Sequence, residues 1–336
     1  MSHRSGAMLA ACAAAAILPL FAQVPASKPG AATKSSQALP RTPDGHPDFQ
    51  GFWSNGTLTP LERPKGFGAK EFYTDEEFAK LTARLRKGEV GEEADIGAAA
   101  PQAVRYDLEL YGFDITKANF ASTKRTSLII GPKGTVPSML PEARKRNAER
   151  VSRNKGHEFD SFENRPLQER CILMTQRRIP MLPAAQDNNL LQIVQGQGYV
   201  TLYHEIDHDT RLVPTDGRPH IPQSIRQWQG DSVGHWEGDT LVIDTTNFTG
   251  RTAFLGSSEK LHLIERFTRK SDDTLIYQFT AEDPATWDKP WTAEIPWTKT
   301  KGPVYEWACH EGNTMISTIL KGARVAEEEA AKKAAK

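Results

Sequence analysis

With 336 residues, 38% of them hydrophobic and 25% charged, the chain is long enough to bury one large core or two modest ones and has the composition of a globular protein. Lysine plus arginine and aspartate plus glutamate both total 42, so no charge excess draws the chain to nucleic acid or to an anionic membrane. The expected partner is a small molecule.

Read in chain order, His3 and Arg4 lead into an apolar run from Ala7 to Ala22, followed by the small, polar and Pro-containing "QVPASKPGAATKSSQALP". This pattern predicts a cleaved secretory signal over 1–22 and a flexible leader over 23–40. The run falls short of the roughly 20 residues that span a bilayer, so no stable membrane insertion is expected after cleavage. Leu9-Ala10-Ala11-Cys12 spells a lipobox, but too little apolar sequence precedes Cys12 to support one. The expected location is periplasmic or secreted, as in a bacterium. In that oxidising setting Cys171 and Cys309 are an even pair and read as a disulfide, with two buried thiols as the alternative.

From 41 to 188 the chain reads as a loop- and helix-rich region packed on the β barrel predicted beyond it. "YTDEEFAKLTARLRKG" is a helix with Thr74 and Glu77 spaced as a capping box and Gly88 as a stop. "KRTSLIIGPKGTVPSM" suggests two short strands about a Pro/Gly turn, and "PEARKRNAERVSRN" a basic, solvated helix opened by Pro141. From 189 to 310 the texture is β. "LLQIVQGQGYVTLYHEI", "GHWEGDTLVIDTTNF", "LHLIERFTRKSDDTLIYQFTAED" and "WTAEIPWTKTKGPVYEWAC" each read as a hairpin. Consecutive hairpins predict a mainly β protein, an antiparallel meander closing into a lipocalin-like, calycin-type barrel, with a β-sandwich or curved open sheet as the alternative. Residues 311–336 end in "ARVAEEEAAKKAAK", a solvated helix.

One motif asks for a specific chemistry. His204-Glu205-Ile206-Asp207-His208 spells H-E-x-x-H, which grips zinc only when both histidines lie one turn apart on a helix. Here the context is Val/Thr/Tyr-rich and comes after a two-glycine turn. On a strand the two imidazoles stand about 13 Å apart, too far to share one ion. No zinc centre, and no other compact ligand cluster, is expected.

The stretches "RTPDGHPDFQGFWSNGTLTPLERP", "GRPHIPQSIRQW", "RQWQGDSVGHWEGDTLVIDTTNF", "GSSEKLHLIERFTR", "DPATWDKPWTAEIP" and "YEWACHEGN" resemble those of a family of exported, largely uncharacterised proteins of environmental bacteria. The resemblance runs from about Arg41 to Ala323. It implies that Glu205, His208 and Asp209 recur in the family while His204 does not. It further implies that Arg211, His220, His235, Glu237, His262, Glu294, His310 and Glu311 fall in its recurring motifs.

Six of the nine histidines and six of the seven tryptophans lie between His204 and His310. Histidine beside carboxylate is the common acid–base pairing at neutral pH, and tryptophan offers flat apolar walls. Loops at strand ends carry function more often than strands do, which puts His208, Arg211 and His220 first, with His262 and Glu294 completing the expected catalytic set. Trp228, Trp236, Trp291, Arg266 and His310 are the expected substrate-binding residues. His235 and Trp236 serve equally to pack a hairpin, the face shared by His262 and Arg266 is either solvated or cavity-lining, and Cys309-His310-Glu311 is either structural or catalytic. The chain carries no G-x-S-x-G elbow, phosphate loop or dinucleotide fingerprint. The expectation is cofactor-independent acid–base chemistry, of lyase, isomerase or hydration/cyclisation type, on an aromatic or largely apolar molecule in a barrel pocket. A non-catalytic ligand binder and a metal-dependent hydrolase are the alternatives.

Overall fold

A computed structural model describes residues 39–57, 59–86, 123–131, 133–173, 179–183, 190–251 and 254–336. The expected signal over 1–22, nearly all of the leader, and Gly88 lie outside the described residues. Among the described residues no helix is long and apolar enough to cross a membrane.

Nine strands form one antiparallel sheet: β1 (Gly51–Ser54), β2 (Leu190–Gly196), β3 (Tyr199–His204), β4 (Asp209–Pro214), β5 (Asp231–Glu237), β6 (Thr240–Thr246), β7 (His262–Arg269), β8 (Thr274–Glu282) and β9 (Trp291–Thr300). The order across it is β4-β3-β2-β1-β9-β8-β7-β6-β5. Two-residue turns at Gln197-Gly198 and Gly238-Asp239 make the tight hairpins, and Gly198 and Gly238 sit at φ 77° and 57°, where only glycine is unstrained. Three of the four expected hairpins are present. The fourth is not: β9 is a strand, but "VYEWAC" does not fold back on it. The free edge of β9 is taken by β1, with Trp53 opposite Lys299, and further along by Ile129, which bridges to Ala293. A strand returning after β9 would have to compete with both for that edge.

Strict alternation sets the two faces. In β7 Leu263, Glu265, Phe267 and Arg269 point inward while His262, Ile264, Arg266 and Thr268 point outward, and β8 alternates likewise. The inner face is filled by Trp53, Phe267, Tyr277, Phe279, Trp291 and Trp297, with Phe267 5.0 Å from Tyr277 and 5.4 Å from Trp297. Each such fully buried side chain contributes roughly 1.5–3 kcal/mol. The interior is therefore a packed core.

Backbone pairing does not close the sheet into a barrel, and strand arithmetic sets how its two edges meet. In an all-antiparallel row of nine, the two edge strands point the same way, so β4 and β5 approach as a parallel pair. Side chains join this seam: Arg211 Nε donates to Ser232 Oγ at 3.0 Å, and Gln229 Nε2 to Asp209 Oδ2 at 2.8 Å. Parallel neighbours need a crossover of about a dozen residues or more rather than a tight turn. The segment Thr215–Gly230 is that crossover, and it is tied to the end of β6 where Gln227 bridges Phe248 and Asn247 Nδ2 donates to the Ile221 carbonyl at 2.9 Å.

Among the described residues three α-helices accompany the sheet: α1 (Asp75–Arg86), α2 (Pro141–Arg153) and α3 (Met315–Ala334). The capping box of α1 is present, with Glu77 N donating to Thr74 Oγ1 at 3.2 Å and Thr74 N to Glu77 Oε2 at 2.8 Å. The basic helix α2 is more than solvated. Ala143 is buried, and Arg146 and Asn147 bind the Gly256 carbonyl at 3.2 and 3.1 Å. Cys171 and Cys309 are joined as a disulfide, Sγ to Sγ 2.15 Å.

Candidate functional site

The crossover brings histidine to carboxylate on the outer face of the sheet. Asp231 opens β5 opposite Thr246, and His262 opens β7 opposite Glu282 of β8. Carrying the β6–β7 register one residue further puts Thr246 beside His262, so the four side chains form one outward row. Asp244 stands two residues back along β6 on the same face. His220 lies over the row: its Nδ1 is 2.7 Å from Asp231 Oδ2 and its Nε2 is 2.8 Å from Asp244 Oδ1. The second oxygen of Asp244 is 2.6 Å from His262 Nε2, and His262 Nδ1 is 3.4 Å from Glu282 Oε2. The result is an alternating line, Asp231–His220–Asp244–His262–Glu282, in which four strands, β5 to β8, each give one residue and the crossover gives His220.

Its electrostatics arise from these contacts. The hydrogen bond that His262 donates to Asp244 raises its pKa above the usual imidazole value, with Coulombic help from Asp244 and Glu282 against partial burial. Half-burial pushes the Asp244 carboxyl up, but hydrogen bonds and charge from His262 and then His220 outweigh it and leave its pKa lowered. Asp231 Oδ2 also accepts the Ile221 N–H at 3.1 Å, which fixes the backbone of the crossover to the carboxylate that holds its histidine. The line is part-buried: His220 is 26% exposed and His262 32%.

Of the expected catalytic residues, the structure brings His220 and His262 together and separates the other three from them. Glu294 is on the same outer face, held by Gln278 Nε2 at 2.6 Å and facing Arg125. By register it lies four residues along the strands from the His262 row, about 13 Å. Arg211 points into the core, where it clasps Glu265 with both terminal nitrogens and Thr245 Oγ1 at 2.8 Å. His208 is exposed on the turn after β3, with Tyr203 Oη 2.9 Å from its Nδ1. That turn explains the H-E-x-x-H spelling: His204 ends a strand, and Ile206–His208 is a single 3-10 turn with Asp207 and His208 at φ 62° and 53°.

The expected binding residues also disperse. Trp291 is a core residue, stacked on Phe254 at 5.9 Å. Trp236 stacks on His46 at 4.3 Å beside Phe49. Arg41 grips Asp239 through two 2.9 Å bonds, so the "RTPDGHPD" segment straps the "GHWEGD" hairpin and plugs that end of the core. Arg266 pairs with Glu237 at 2.6 Å. Trp228 is half-buried in the crossover, and His310 is exposed beside the disulfide.

Asp244, Asp231 and Glu282 were not singled out from the sequence, and Asp244 carried a usable signal. Aspartate is disfavoured in strand interiors, so "TLVIDTTNF" breaks a local rule at its centre, the kind of violation that marks function. Among the described residues no group of three or more His, Cys, Asp or Glu side chains is arranged to hold a metal. Compared with protein-family models and with curated proteins, the chain matches none.

Proposed function

We propose that this protein is an exported enzyme that performs cofactor-independent acid–base chemistry on a small molecule, of the lyase, isomerase or hydration/cyclisation kind. The observation that carries the reading is the bonding of His262 Nε2 to Asp244 at 2.6 Å, with Nδ1 held more loosely, 3.4 Å from Glu282, as the ring nitrogen that exchanges a proton with a substrate. A carboxylate that fixes the tautomer of an imidazole and raises its basicity toward neutrality is the arrangement general-base catalysis asks for. We place the work on the outer face, under the crossover, because the interior that a lipocalin-like barrel would offer as a pocket is filled by aromatic side chains. The barrel itself we read as closed at the β4–β5 seam by side chains. The resemblance to exported bacterial proteins, together with the disulfide, supports a periplasmic or secreted location.

The test is turnover of a hydroxylated and aromatic metabolite library by the purified chain, with His262→Gln and Asp244→Asn beside it. The expected result is a loss of about 10²-fold or more in kcat for either variant, the usual order of a general-base contribution. Full activity in His262→Gln would sink the proposal, binding without turnover would establish a ligand carrier, and stoichiometric zinc in the active preparation would replace acid–base chemistry by metal chemistry.

A further inference from the structure

Carboxylates elsewhere on this sheet are met by arginine. Glu237 faces Arg266, Glu294 faces Arg125, and Asp239 faces Arg41 at the strapped hairpin. Along the line this changes: among the described residues no lysine or arginine is ion-paired with Asp231, Asp244 or Glu282, whose ionisable partners are the two imidazoles. Lys260, just before β7, and Lys289, just before β9, are both exposed and pair with none of the three. With three carboxylates against two rings, the line stays net negative whichever ring is charged.

The three acids differ in what they still have to give. Asp231 Oδ2 lies against His220 Nδ1 and accepts the Ile221 N–H. Asp244 has one imidazole on each oxygen. Glu282 has only the approach of His262 Nδ1 at 3.4 Å, which is long for a charged hydrogen bond. Its side chain is 38% exposed, against 32% for Asp244 and 16% for Asp231. Register leaves it at the end of the row as well. β9 begins at Trp291 opposite Ala281, so no strand residue stands beside Glu282 on the side away from His262.

We propose that Glu282 is the substrate-binding carboxylate of this site, and that the substrate is a small organic cation, an amine in its ammonium form. Its N–H donates to Glu282, while the atom that exchanges a proton lies against His262 Nδ1. The inference rests on the acid–base reading of His262 and adds to it the charge of the molecule. An ammonium brings what the Glu282 contact lacks, a full positive charge and short, directed donors. A neutral hydroxyl donates too, but leaves the negative charge of the line unmet. An anion would be set beside three carboxylates with no arginine or lysine to receive it, which is how a site rejects the wrong ligand.

The experiment uses three probes with one apolar body and different heads: benzylamine, benzyl alcohol and benzoate. Binding to the full chain is followed by NMR through the backbone amides of His262 and Glu282. Benzylamine is expected to bind and shift both, benzyl alcohol to bind more weakly, and benzoate not to bind there. Glu282→Gln keeps the shape and removes the charge, and should weaken benzylamine by roughly 10- to 100-fold, the usual effect of losing a charged hydrogen bond, with little change for benzyl alcohol. In the unaltered protein, added sodium chloride should weaken benzylamine and not benzyl alcohol, which tests the charge without any substitution. The assignment is overturned if benzylamine does not bind, if benzoate binds as tightly, or if benzylamine affinity is indifferent to salt or to Glu282→Gln. Catalysis is read separately. A His262→Gln variant that binds benzylamine and keeps full turnover sinks the acid–base reading and leaves the cation site standing, whereas lost turnover in His262→Gln with benzylamine indifferent to Glu282→Gln sinks the cation site alone.

Discussion

The carboxylate of Glu265 is wholly buried and takes three kinds of donor: both terminal nitrogens of Arg211, the Tyr277 hydroxyl at 2.8 Å and the Thr245 hydroxyl at 3.4 Å. Burial first, then the Glu265 charge, pushes the Tyr277 phenol well above its ordinary pKa, so it remains a donor. Removing one partner of such a pair strands a charge in the core. Arg211→Ala is expected to destabilise by about 3–5 kcal/mol in chemical denaturation, and Arg211→Met with Glu265→Leu by much less. The outer-face line has the opposite sensitivity, to pH. His262 has a raised pKa, so its contribution is whole below the unfolded value of 6.5 and is lost as pH rises through the higher folded value. Asp244 has a lowered pKa, so its contribution is present above 3.8 and is lost as pH falls through the folded value. Between those limits the crossover should be seated most firmly. Hydrogen-exchange protection of the Ile221 and Gln227 amides should therefore drop as pH rises above 6.5 and through the raised folded-state value of His262, after correction for intrinsic exchange. Unchanged protection would mean that something else seats the crossover. The histidines of this line were legible, because a histidine in a Pro-rich loop and another opening a strand invite a functional reading. Their carboxylates were not, since which of 42 acidic residues meets them depends on strand register and on where the crossover lands.

At the scale of elements, the seam between β4 and β5 is controlled by Gly234. A Cβ there would lie 3.0 Å from Val213 Cγ1 and 3.1 Å from Thr215 Cγ2, so the two parallel edges come close because this position has no side chain. Gly234→Val should push them apart at a cost of about 1–3 kcal/mol, the usual range for overpacking, and should loosen the Arg211–Ser232 contact as well. A stability equal to that of the unaltered chain in denaturant would show that the seam has room to spare. The α1 capping box is more modest, and Thr74→Ala should cost about 1 kcal/mol, read in the same way. Hairpins β2–β3, β5–β6 and β7–β8 were legible because turn glycines and alternation are local signals. Strands β1 and β4 were not. "GFWS" is four residues in a loop-like stretch, and "DTRLVP" carries arginine at an inward position that only the distant Glu265 makes tolerable. "VYEWAC" looks like a strand and is excluded by competition for the edge of β9, which no local pattern reveals.

The whole molecule is held at long range by the Cys171–Cys309 disulfide, whose separation of 138 residues ties the segment after β9 to the helical region. In the chain-entropy account such a link stabilises by roughly 4–5 kcal/mol, so Cys171→Ser with Cys309→Ser should lower the melting temperature by several degrees, to the level of the reduced protein. Identical melting with and without reductant would contradict this. Global topology was legible as an antiparallel meander but not in how its edges meet, because strand count and parity emerge only when every strand is known.

The position of β1 also determines the order in which the molecule can assemble. Strands β2–β4 pair only through short turns, and so, with somewhat longer connections, do β5–β9, so each set can form from contacts close in sequence. What joins them is a four-residue strand from near the beginning of the described chain, with Phe52 paired to Gln192 on one side and to Thr300 on the other. Closing the loop from Phe52 to Thr300 carries the greatest entropy cost of any pairing in the sheet, and contacts of such separation form slowly. Two partial sheets should therefore appear first in refolding and wait for Trp53, so that the first of these nine strands to be synthesised is the last to find its place.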